Sequence, residues 1–311
     1  MRQATLLGYI IRRLWQMLPT MLGVVLLLFV LFNGVGGDPA YLLAGKMADA
    51  DSIANIRRQL GVDQPYYVQL WIFIRQVVTF DFGLSWATGE PVSELVATRL
   101  GPSLAVLAPL TVLETGIGIA LALMVAFVRG SLTDRAVMLA CTVGMSISIL
   151  VYIIVFQYWL AYRLGWFPVQ GWGGWRYAVL PILIGLAVSL APTLRLFRSF
   201  VLDEVGQDYV RTARAKGLSE RRVMWVHVLR NAAIPILTHV MSNLPALFIG
   251  AFLLERFFGI PGIGREVILA VERSDFPVIK AITVYVAVAT MVFNLLTDLL
   301  YQAVDPRVKL A

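Results

Sequence analysis

Charged residues are scarce in this chain of 311 residues, where they make up only 14% of the sequence. Soluble globular domains keep about 25% charged residues, and the 59% hydrophobic content and mean hydropathy of +0.78 exclude that class. The solvent for most of the chain is therefore lipid. The single cysteine, Cys141, excludes an internal disulfide framework, and its apolar surroundings indicate a packing residue.

Histidine is almost as rare, and neither His227 nor His239 has metal-ligand spacing to another histidine or to the cysteine. The sequence therefore predicts no metal site. The chain also lacks G-x-x-x-x-G-K-[ST], the loop that cradles nucleotide phosphates. No nucleophile–base pair is evident inside an apolar run, so we predict no catalytic residues. Any ATP chemistry coupled to this chain has to be carried out by a partner.

Six apolar runs have lengths near the ~20 residues that a helix needs to cross a bilayer. They lie at 14–32, 103–128, 136–162, 178–197, 233–254 and 279–301. Basic residues before the first run also fit a signal peptide. However, no A-x-A-like site follows and further runs come later, which favours a retained first helix. The predicted fold class is an all-α membrane protein with six transmembrane helices.

The stretch between the first and second runs has a different character. Residues 38–100 hold seven acids and five bases, and a glycine- and proline-containing breaker cluster separates them from the first run. Amphipathic pieces at 51–60 and 66–80 predict a small extracytoplasmic helical insertion, too small to be a catalytic domain. The predicted divisions are an N-terminal tail with the first helix (1–34), the insertion (35–100), a core with five helices (94–302) and, within the core, a cytoplasmic loop (203–232).

Basic residues are concentrated on one side of the predicted membrane. With the N-terminus inside, most of the 26 Lys and Arg residues fall on cytoplasmic segments, whereas acids and bases balance on the other side. Such a bias sets the orientation of a membrane protein, and it predicts that both termini are cytoplasmic. The net charge of +7 is therefore a topology signal, and no nucleic-acid partner is predicted.

The largest group of bases lies in the loop at 203–232. Between Arg211 and Arg230, six bases accompany one acid, Glu220, and they are Arg211, Arg214, Lys216, Arg221, Arg222 and Arg230. The sequence predicts a helix over 208–216, a tight turn at Gly217, and a second helix that begins at Glu220 with Ser219 as its cap. This loop either docks onto a cytoplasmic partner or only contacts anionic lipid.

Two acids lie inside predicted spans, where a charge costs about 2.5–3.5 kcal/mol. Glu114 is either a contact for a substrate ammonium group in a translocation path or a paired structural residue. Asp298 lies near the cytoplasmic end of its span, which favours a structural role. His239 is a second candidate path residue, although a lone histidine is more often a hydrogen-bonded packing residue. If Glu114, His239 and Asp298 served as proton sites, the chain would fit a proton-coupled secondary transporter, which is the alternative class of transport protein.

The loop contains the segments RTARAKG (211–217) and LRNAAIP (229–235). Other segments along the chain are RRLWQMLPT (12–20), GDPA (37–40), LGVDQP (60–65), FDFGLS (80–85), ERFFGIPGIG (255–264), SDFPVIKA (274–281) and DLLYQAVDPRVK (298–309). In this order they resemble the B-type membrane subunit of dipeptide/oligopeptide permeases, in the peptide/nickel branch of ABC importers. Of the general E-A-A loop pattern of ABC importer permeases, only Ala213, Gly217 and Leu229 match, and the departures are like those of this branch.

The resemblance implies a type I ABC importer permease fold in the bacterial cytoplasmic (inner) membrane, and a transport role rather than an enzymatic one. It implies a second homologous permease subunit as a heterodimer partner and two ATP-binding subunits that hold ATP and magnesium. It also implies an extracytoplasmic substrate-binding protein, with no cofactor on this chain. The implied substrate is a di- or oligopeptide, with nickel, glutathione or an oligosaccharide as alternatives.

The resemblance also suggests roles for particular residues. The residues that it implies for coupling to the ATP-binding subunits are Tyr209, Arg211, Thr212, Ala213, Arg214, Ala215, Lys216, Gly217 and Leu218. The residues that it implies for an outer gate, or for a contact with the binding protein, are Glu255, Pro261, Gly262, Gly264 and Asp275. Glu114 and His239 remain the candidates for polar residues of the translocation path.

Overall fold

The computed structural model describes residues 6–35, 39–44 and 49–304, and these ranges are helical apart from connections and one isolated antiparallel bridge. The helices are α1 (Leu6–Val30, ending in the π-turn Leu31–Val35), α2 (Pro39–Ala44), α3 (Ala50–Leu60), α4 (Tyr66–Thr79), α5 (Val92–Phe127), α6 (Leu132–Ser146) and α7 (Ile149–Phe156, continued by the π-helix Gln157–Arg163). They continue with α8 (Trp175–Val205), α9 (Asp208–Ala215), α10 (Glu220–Arg222, followed by the π-helix Val223–Val228), α11 (Leu229–Asn243), α12 (Ala246–Ile249), α13 (Phe252–Phe258), α14 (Ile263–Glu272) and α15 (Phe276–Val304). Parts of the predicted tail and insertion, and the C-terminal residues 305–311, lie outside the described residues.

Five continuous helical stretches are long and apolar enough to cross a membrane. They are Gly8–Asn33, Val92–Phe127, Trp175–Val205, Glu220–Ile249 and Phe276–Leu300. A bent pair of helices, Leu132–Ser146 and Ile149–Arg163, completes the six predicted spans. The chain is therefore an all-α membrane protein, as the apolar runs predict.

Two of the predicted spans differ in detail from the structure. The third is not one straight helix, because it bends by 92° between α6 and α7. Ile147 and Ser148 adopt extended backbone there, and Ser148 caps α7 by accepting a bond from the amide of Leu150. The fifth, predicted at 233–254, ends earlier, because Gly250 leaves the helix with φ of +82°.

Helices α5 and α8 pack side by side at the centre of the bundle. Small residues allow the close approach, since a Cβ on Gly185 would lie 2.6 Å from Leu110 Cδ2, and one on Gly118 would lie 3.1 Å from Thr193 Cγ2. Glycines of this kind let helix backbones approach each other in lipid. The contact brings Glu114 of α5 against Thr193 of α8.

The predicted helices of the insertion, 51–60 and 66–80, are confirmed as α3 and α4. Helix α3 begins at Asp49, whose carboxylate accepts from the amide of Ser52 at 3.2 Å, and it ends at Gly61 in the left-handed conformation. Helix α4 buries Phe73 and Val77 against the membrane helices α1 and α15. Because α5 begins at Val92, the insertion is joined to the membrane core by one continuous helix.

Arginine–carboxylate pairs connect the helices at the opposite end, which we call the loop end because it carries α9. Arg13 of α1 lies 2.7 Å from Asp298 of α15, which agrees with the structural role predicted for Asp298. Arg198 of α8 holds Asp134 with two bonds of 2.8 and 3.0 Å, and Asp134 also accepts from the amide of Gly130. These pairs fix the turns and helix ends where the bundle leaves the apolar layer.

We expect Arg198→Met to lower the stability of the bundle, because Asp134 is only 5% exposed and would lose its cation. The expected cost is about 3 kcal/mol, at the lower end of the range for breaking a buried pair, since Arg198 keeps a fifth of its side chain exposed. Thermal unfolding of the purified chain in detergent measures the effect. Arg195→Met is the matched control, because Arg195 is exposed and, within the described ranges, has no ion pair and bonds only to a methionine sulfur at 3.7 Å. Equal melting temperatures for the two variants would contradict the role of the pair.

Candidate functional site

The basic loop forms a helix, a glycine turn and a second helix, as the sequence predicts. Helix α9 ends at Lys216, and Gly217 follows with φ of +78°. The amide of Gly217 donates to the carbonyl of Arg214 at 2.9 Å, and that of Leu218 donates to the carbonyl of Ala213 at 3.4 Å. Ser219 starts the second helix, but its side chain makes no capping bond, so that part of the prediction is wrong.

One face of α9 is buried in the bundle. Val210 and Ala213 pack into a cluster with buried residues of α5, α8 and the π-helix Val223–Val228. Ala213 is 5% exposed, so its small side chain packs within this chain. Its part in coupling to the ATP-binding subunits stays a prediction. Leu218 is partly buried against the same cluster. The loop is therefore held firmly on the membrane helices.

Tyr209 adds a polar anchor beside this cluster. Its hydroxyl donates to Glu204 Oε2 at 2.7 Å. Burial raises the pKa of Tyr209 to about 12, and the neighbouring Glu204 carboxylate acts in the same direction. The hydroxyl therefore remains a neutral donor at physiological pH, and Tyr209 ties α9 to the end of α8.

The opposite face of α9 is open. Its exposed residues include Asp208, Arg211, Thr212, Ala215 and Lys216, followed by Gly217 at the turn. Arg211 donates to Asp208 at 3.2 Å. Arg214 is also exposed, but its guanidinium makes two bonds of 2.7 and 3.2 Å to Glu220 across the turn. Trp225, 46% exposed, and Arg221 and Arg222 extend this surface onto the second helix. The structure thus presents a rigid, basic surface with one aromatic residue at the loop end.

A cavity of about 430 Å³ lies within the bundle and brings together the two candidate path residues, Glu114 and His239. It is lined by α5, α8 and α11 and by the start of α12. Thr193 donates its hydroxyl to Glu114, while Ser189 Oγ is buried without a partner among the described residues. The cavity wall thus places a carboxylate, an imidazole and several hydroxyl groups in otherwise apolar surroundings.

His239 is packed in that wall rather than isolated. The ring of Phe197 meets it edge-on at 5.8 Å between centroids. Asn243, one turn further along, donates to the backbone carbonyl of His239 at 2.8 Å and lies 3.2 Å from its Nε2 atom. Asn243 was not a sequence-based candidate, and a polar residue one helical turn from His239 was the only signal that could have found it.

At the other end of the bundle, Glu255 is fully buried. Its role in an outer gate or in a contact with the binding protein stays a prediction. Its carboxylate accepts from Ser103 Oγ at 2.8 Å and from the amides of Ala251 and Arg265 at 3.0 and 2.9 Å. Ser103 accepts in turn from the amide of Ile263 at 2.8 Å. Glu255 thus fixes α13 and α14 to the start of the second span.

Asp275 plays the same part in the neighbouring loop. It is 3% exposed, and it accepts from the hydroxyl of Ser85 and from the amides of Trp86 and Ala87 at 3.1 and 3.2 Å. The role of Asp275 in an outer gate or in a contact with the binding protein likewise stays a prediction. Both acids are structural anchors, and their serine partners lie 152 and 190 residues away in the sequence.

Glycines surround the Glu255 carboxylate because a side chain would not fit. A Cβ on Gly262 would lie 2.4 Å from Glu255 Oε2, and one on Gly264 would lie 2.8 Å from the amide nitrogen of Phe252. Gly250 is equally crowded, since a Cβ on it would lie 2.4 Å from the amide nitrogen of Gly264. Gly262 and Gly264 are buried and Pro261 is partly buried, so this turn is a close-packed joint. Whether the joint moves as an outer gate remains a prediction.

Helices that can cross a membrane, a cavity between them with few polar groups, and a basic surface at one end are features expected of a membrane transport protein. Within the described ranges, no three His, Cys, Asp or Glu residues gather where they could hold a metal ion. Two family models match the chain: "Binding-protein-dependent transport system inner membrane component" over residues 118–310, and the corresponding N-terminal region over residues 6–107.

Curated relatives extend over the whole chain. The glutathione transport system permease proteins GsiC of Salmonella typhi and Escherichia coli (strain K12) are each 37% identical over 305 residues, which is 98% of this chain and 99% of theirs. The chain therefore belongs to the family of binding-protein-dependent transport system inner membrane components. It is an ABC importer permease of the peptide/nickel type with the type I fold, and not an enzyme. The proton-coupled secondary transporter does not fit this family.

We expect Gly262→Ala to destabilise the joint at Glu255, because the new methyl group would displace the carboxylate or the Ser103 hydroxyl. Overpacking of a filled site costs about 1–3 kcal/mol, which thermal unfolding in detergent would detect. Gly116→Ala is the matched control, since a Cβ at Gly116 meets nothing within 4 Å in the middle of α5. The control should be neutral or slightly stabilising, and equal destabilisation of both variants would contradict the close-packed joint.

Proposed function

We propose that this permease imports short peptides by alternating access, with glutathione as one member of that class. The cavity with Glu114 and His239 carries the proposal, because it lies between membrane helices and combines apolar walls with a few polar groups. Pockets that bind small molecules have this composition and volumes of about 300–1,000 Å³. In the assembled transporter, a homologous permease subunit would supply the other wall of the path.

Glu114 is the proposed contact for the ammonium group of the peptide. A carboxylate beside an apolar wall binds an organic cation both by charge and by hydrogen bonds. Thr193 donates to one carboxylate oxygen, and the other has no hydrogen bond among the described residues, so it is available to a ligand. The names of the GsiC relatives support a peptide over the alternatives, since glutathione is a tripeptide with a free ammonium group. Nickel and oligosaccharides have no specific support from the cavity.

The energy for transport would come from two ATP-binding subunits, which hold ATP and magnesium and dock on the exposed face of α9. The packing of α9 through Val210 and Ala213 supports this role. Because no flexible linker lies between them, a movement of the loop is transmitted directly to α5 and α8. The loop end and both termini would then face the cytoplasm of a bacterial cell. The binding protein would deliver peptide at the insertion end, outside the inner membrane.

We expect the double variant Arg211→Glu, Lys216→Glu to lose its ATP-binding subunits on purification and to lose substrate-stimulated ATPase activity. Both side chains are exposed and project from the open face of α9. Reversal of interfacial charges weakens binding by roughly tenfold or more. Arg135→Glu, also exposed at the loop end, is the control for surface charge, and it should retain the subunits. Unchanged coupling in the double variant would refute docking at this face.

We expect Glu114→Gln to raise the half-saturating concentration for peptides with a free amino terminus by about tenfold or more, since a hydrogen bond between charged groups contributes about 1.5–3 kcal/mol. Uptake into proteoliposomes that hold the whole transporter measures this change. N-acetylated peptides should show no such difference between the two proteins. Thr111→Val is the matched variant, because Thr111 lines the same cavity while its hydroxyl donates to the Leu107 carbonyl. Equal effects on free and acetylated peptides would contradict the ammonium contact.

A further inference from the structure

A second cavity, of about 250 Å³, lies at the insertion end and shares no lining residue with the membrane cavity. It forms where α1, α4 and α15 meet the segment at 82–86. Six aromatic side chains contribute to its wall: Phe29, Phe32, Phe73, Phe82, Trp86 and Phe276. Among the residues that the structure describes, Lys280 is the only charged one in its lining, and no acid lines it. The cavity therefore combines one cation with an aromatic surface.

The ammonium group of Lys280 lies over two of these rings. Its Nζ atom is 5.4 Å from the ring centroid of Phe32 and 5.3 Å from that of Phe73. In the described part of the chain, Lys280 has no ion pair and no hydrogen bond. Cation–π contacts at such distances contribute about 0.5–2 kcal/mol, which offsets only part of the cost of removing a charge from water. The ammonium group is thus available to an anion.

Three neutral amide side chains also line this cavity among the described residues: Asn33, Gln69 and Gln76. Gln69 donates to the carbonyls of Val62 and Gln64 at 3.1 and 2.7 Å, and Asn33 donates to the carbonyl of Phe29 at 3.1 Å. The second N–H of Asn33 and the amide of Gln76 can add neutral hydrogen bonds to a ligand. Lys280 supplies the charge among these donors.

The wall of the cavity is held in place before any ligand arrives. Asp275 accepts from the amide of Trp86 at 3.1 Å and so fixes the loop that carries this ring. Trp86 meets Phe276 edge-on at 5.6 Å, and Phe276 meets Phe32 in the same way at 5.3 Å. A ligand would therefore lose little binding energy in ordering the protein.

We propose that this cavity is a binding site for a small carboxylate that carries an aromatic or other apolar group, such as an acylated amino acid. The carboxylate pairs with the Lys280 ammonium, and the apolar group lies among the aromatic rings. The volume, below that of most pockets for drug-sized ligands, limits the ligand to about one amino acid. A carboxylate fits better than a phosphate, because phosphate sites favour several donors or an arginine fork, and one ammonium supplies neither.

The proposal is tested by titrating N-acetyl-L-phenylalanine into the full chain in lipid nanodiscs, with binding followed by calorimetry. We expect saturable binding of the acid and at least tenfold weaker binding of N-acetyl-L-phenylalaninamide, which has the same shape without the charge. Lys280→Gln should weaken binding of the acid at least tenfold, whereas Lys280→Arg should retain most of it. Arg273→Gln, an exposed residue at the same end and outside the cavity, should leave binding unchanged.

Three outcomes would overturn the proposal: no saturable binding, equal binding of acid and amide, or full binding by a folded Lys280→Gln variant. If that variant does not fold, the comparison of acid with amide on the unaltered chain still decides. Tighter binding of inorganic phosphate than of the acid would also refute a carboxylate site. None of these results depends on the substrate proposed for the membrane cavity, because the probe is neither transported nor paired with Glu114 in the test.

Discussion

Lipid offers a protein no hydrogen bonds, so each polar group that this chain carries into the bilayer needs a partner in the protein or in a ligand. The chain meets this constraint in two ways. At the loop end, Asp134 and Asp298 are paired with arginines. At the insertion end, Glu255 and Asp275 are each held by one serine hydroxyl and two backbone amides. The serine hydroxyls and backbone amides hold the loops in a defined geometry. Ion pairs between flexible side chains do not define the backbone geometry in this way.

Between these two ends lies the membrane cavity, where some polar groups lack partners. Ser189 has no partner among the described residues, and Glu114 is held by a single threonine. Such groups cost stability unless a ligand or water completes them. A translocation path needs this property, because a site that is complete without its substrate gives the substrate nothing to bind. Lys280 in its aromatic cavity also lacks an ion pair and a hydrogen bond among the described residues, so its ammonium group too can bind a ligand.

The sequence predicts features that depend on neighbours along the chain. The six apolar runs, the insertion helices and the turn at Gly217 follow from local hydropathy, caps and backbone freedom, and the structure contains them. The burial of Ala213 was not predictable, because it depends on how α9 lies against α8. The roles of Glu255 and Asp275 were missed for the same reason, since their partners Ser103 and Ser85 are distant in sequence. The bend at Ser148 was missed because the apolar run continues through it.

Helix α5 carries one further consequence. It is a single helix of 36 residues from Val92 to Phe127, so it spans about 54 Å at 1.5 Å per residue. Its first turn buries Val92 and Leu95 in the cluster of the insertion, and its last turns bury Leu123 and Ala126 beside the loop helix. Such a helix is a lever arm, and a tilt of roughly 5° about one end displaces the other by about 5 Å, given that rise. One continuous helix therefore connects the insertion to the loop, and a tilt of α5 moves both without a relay of side chains between them.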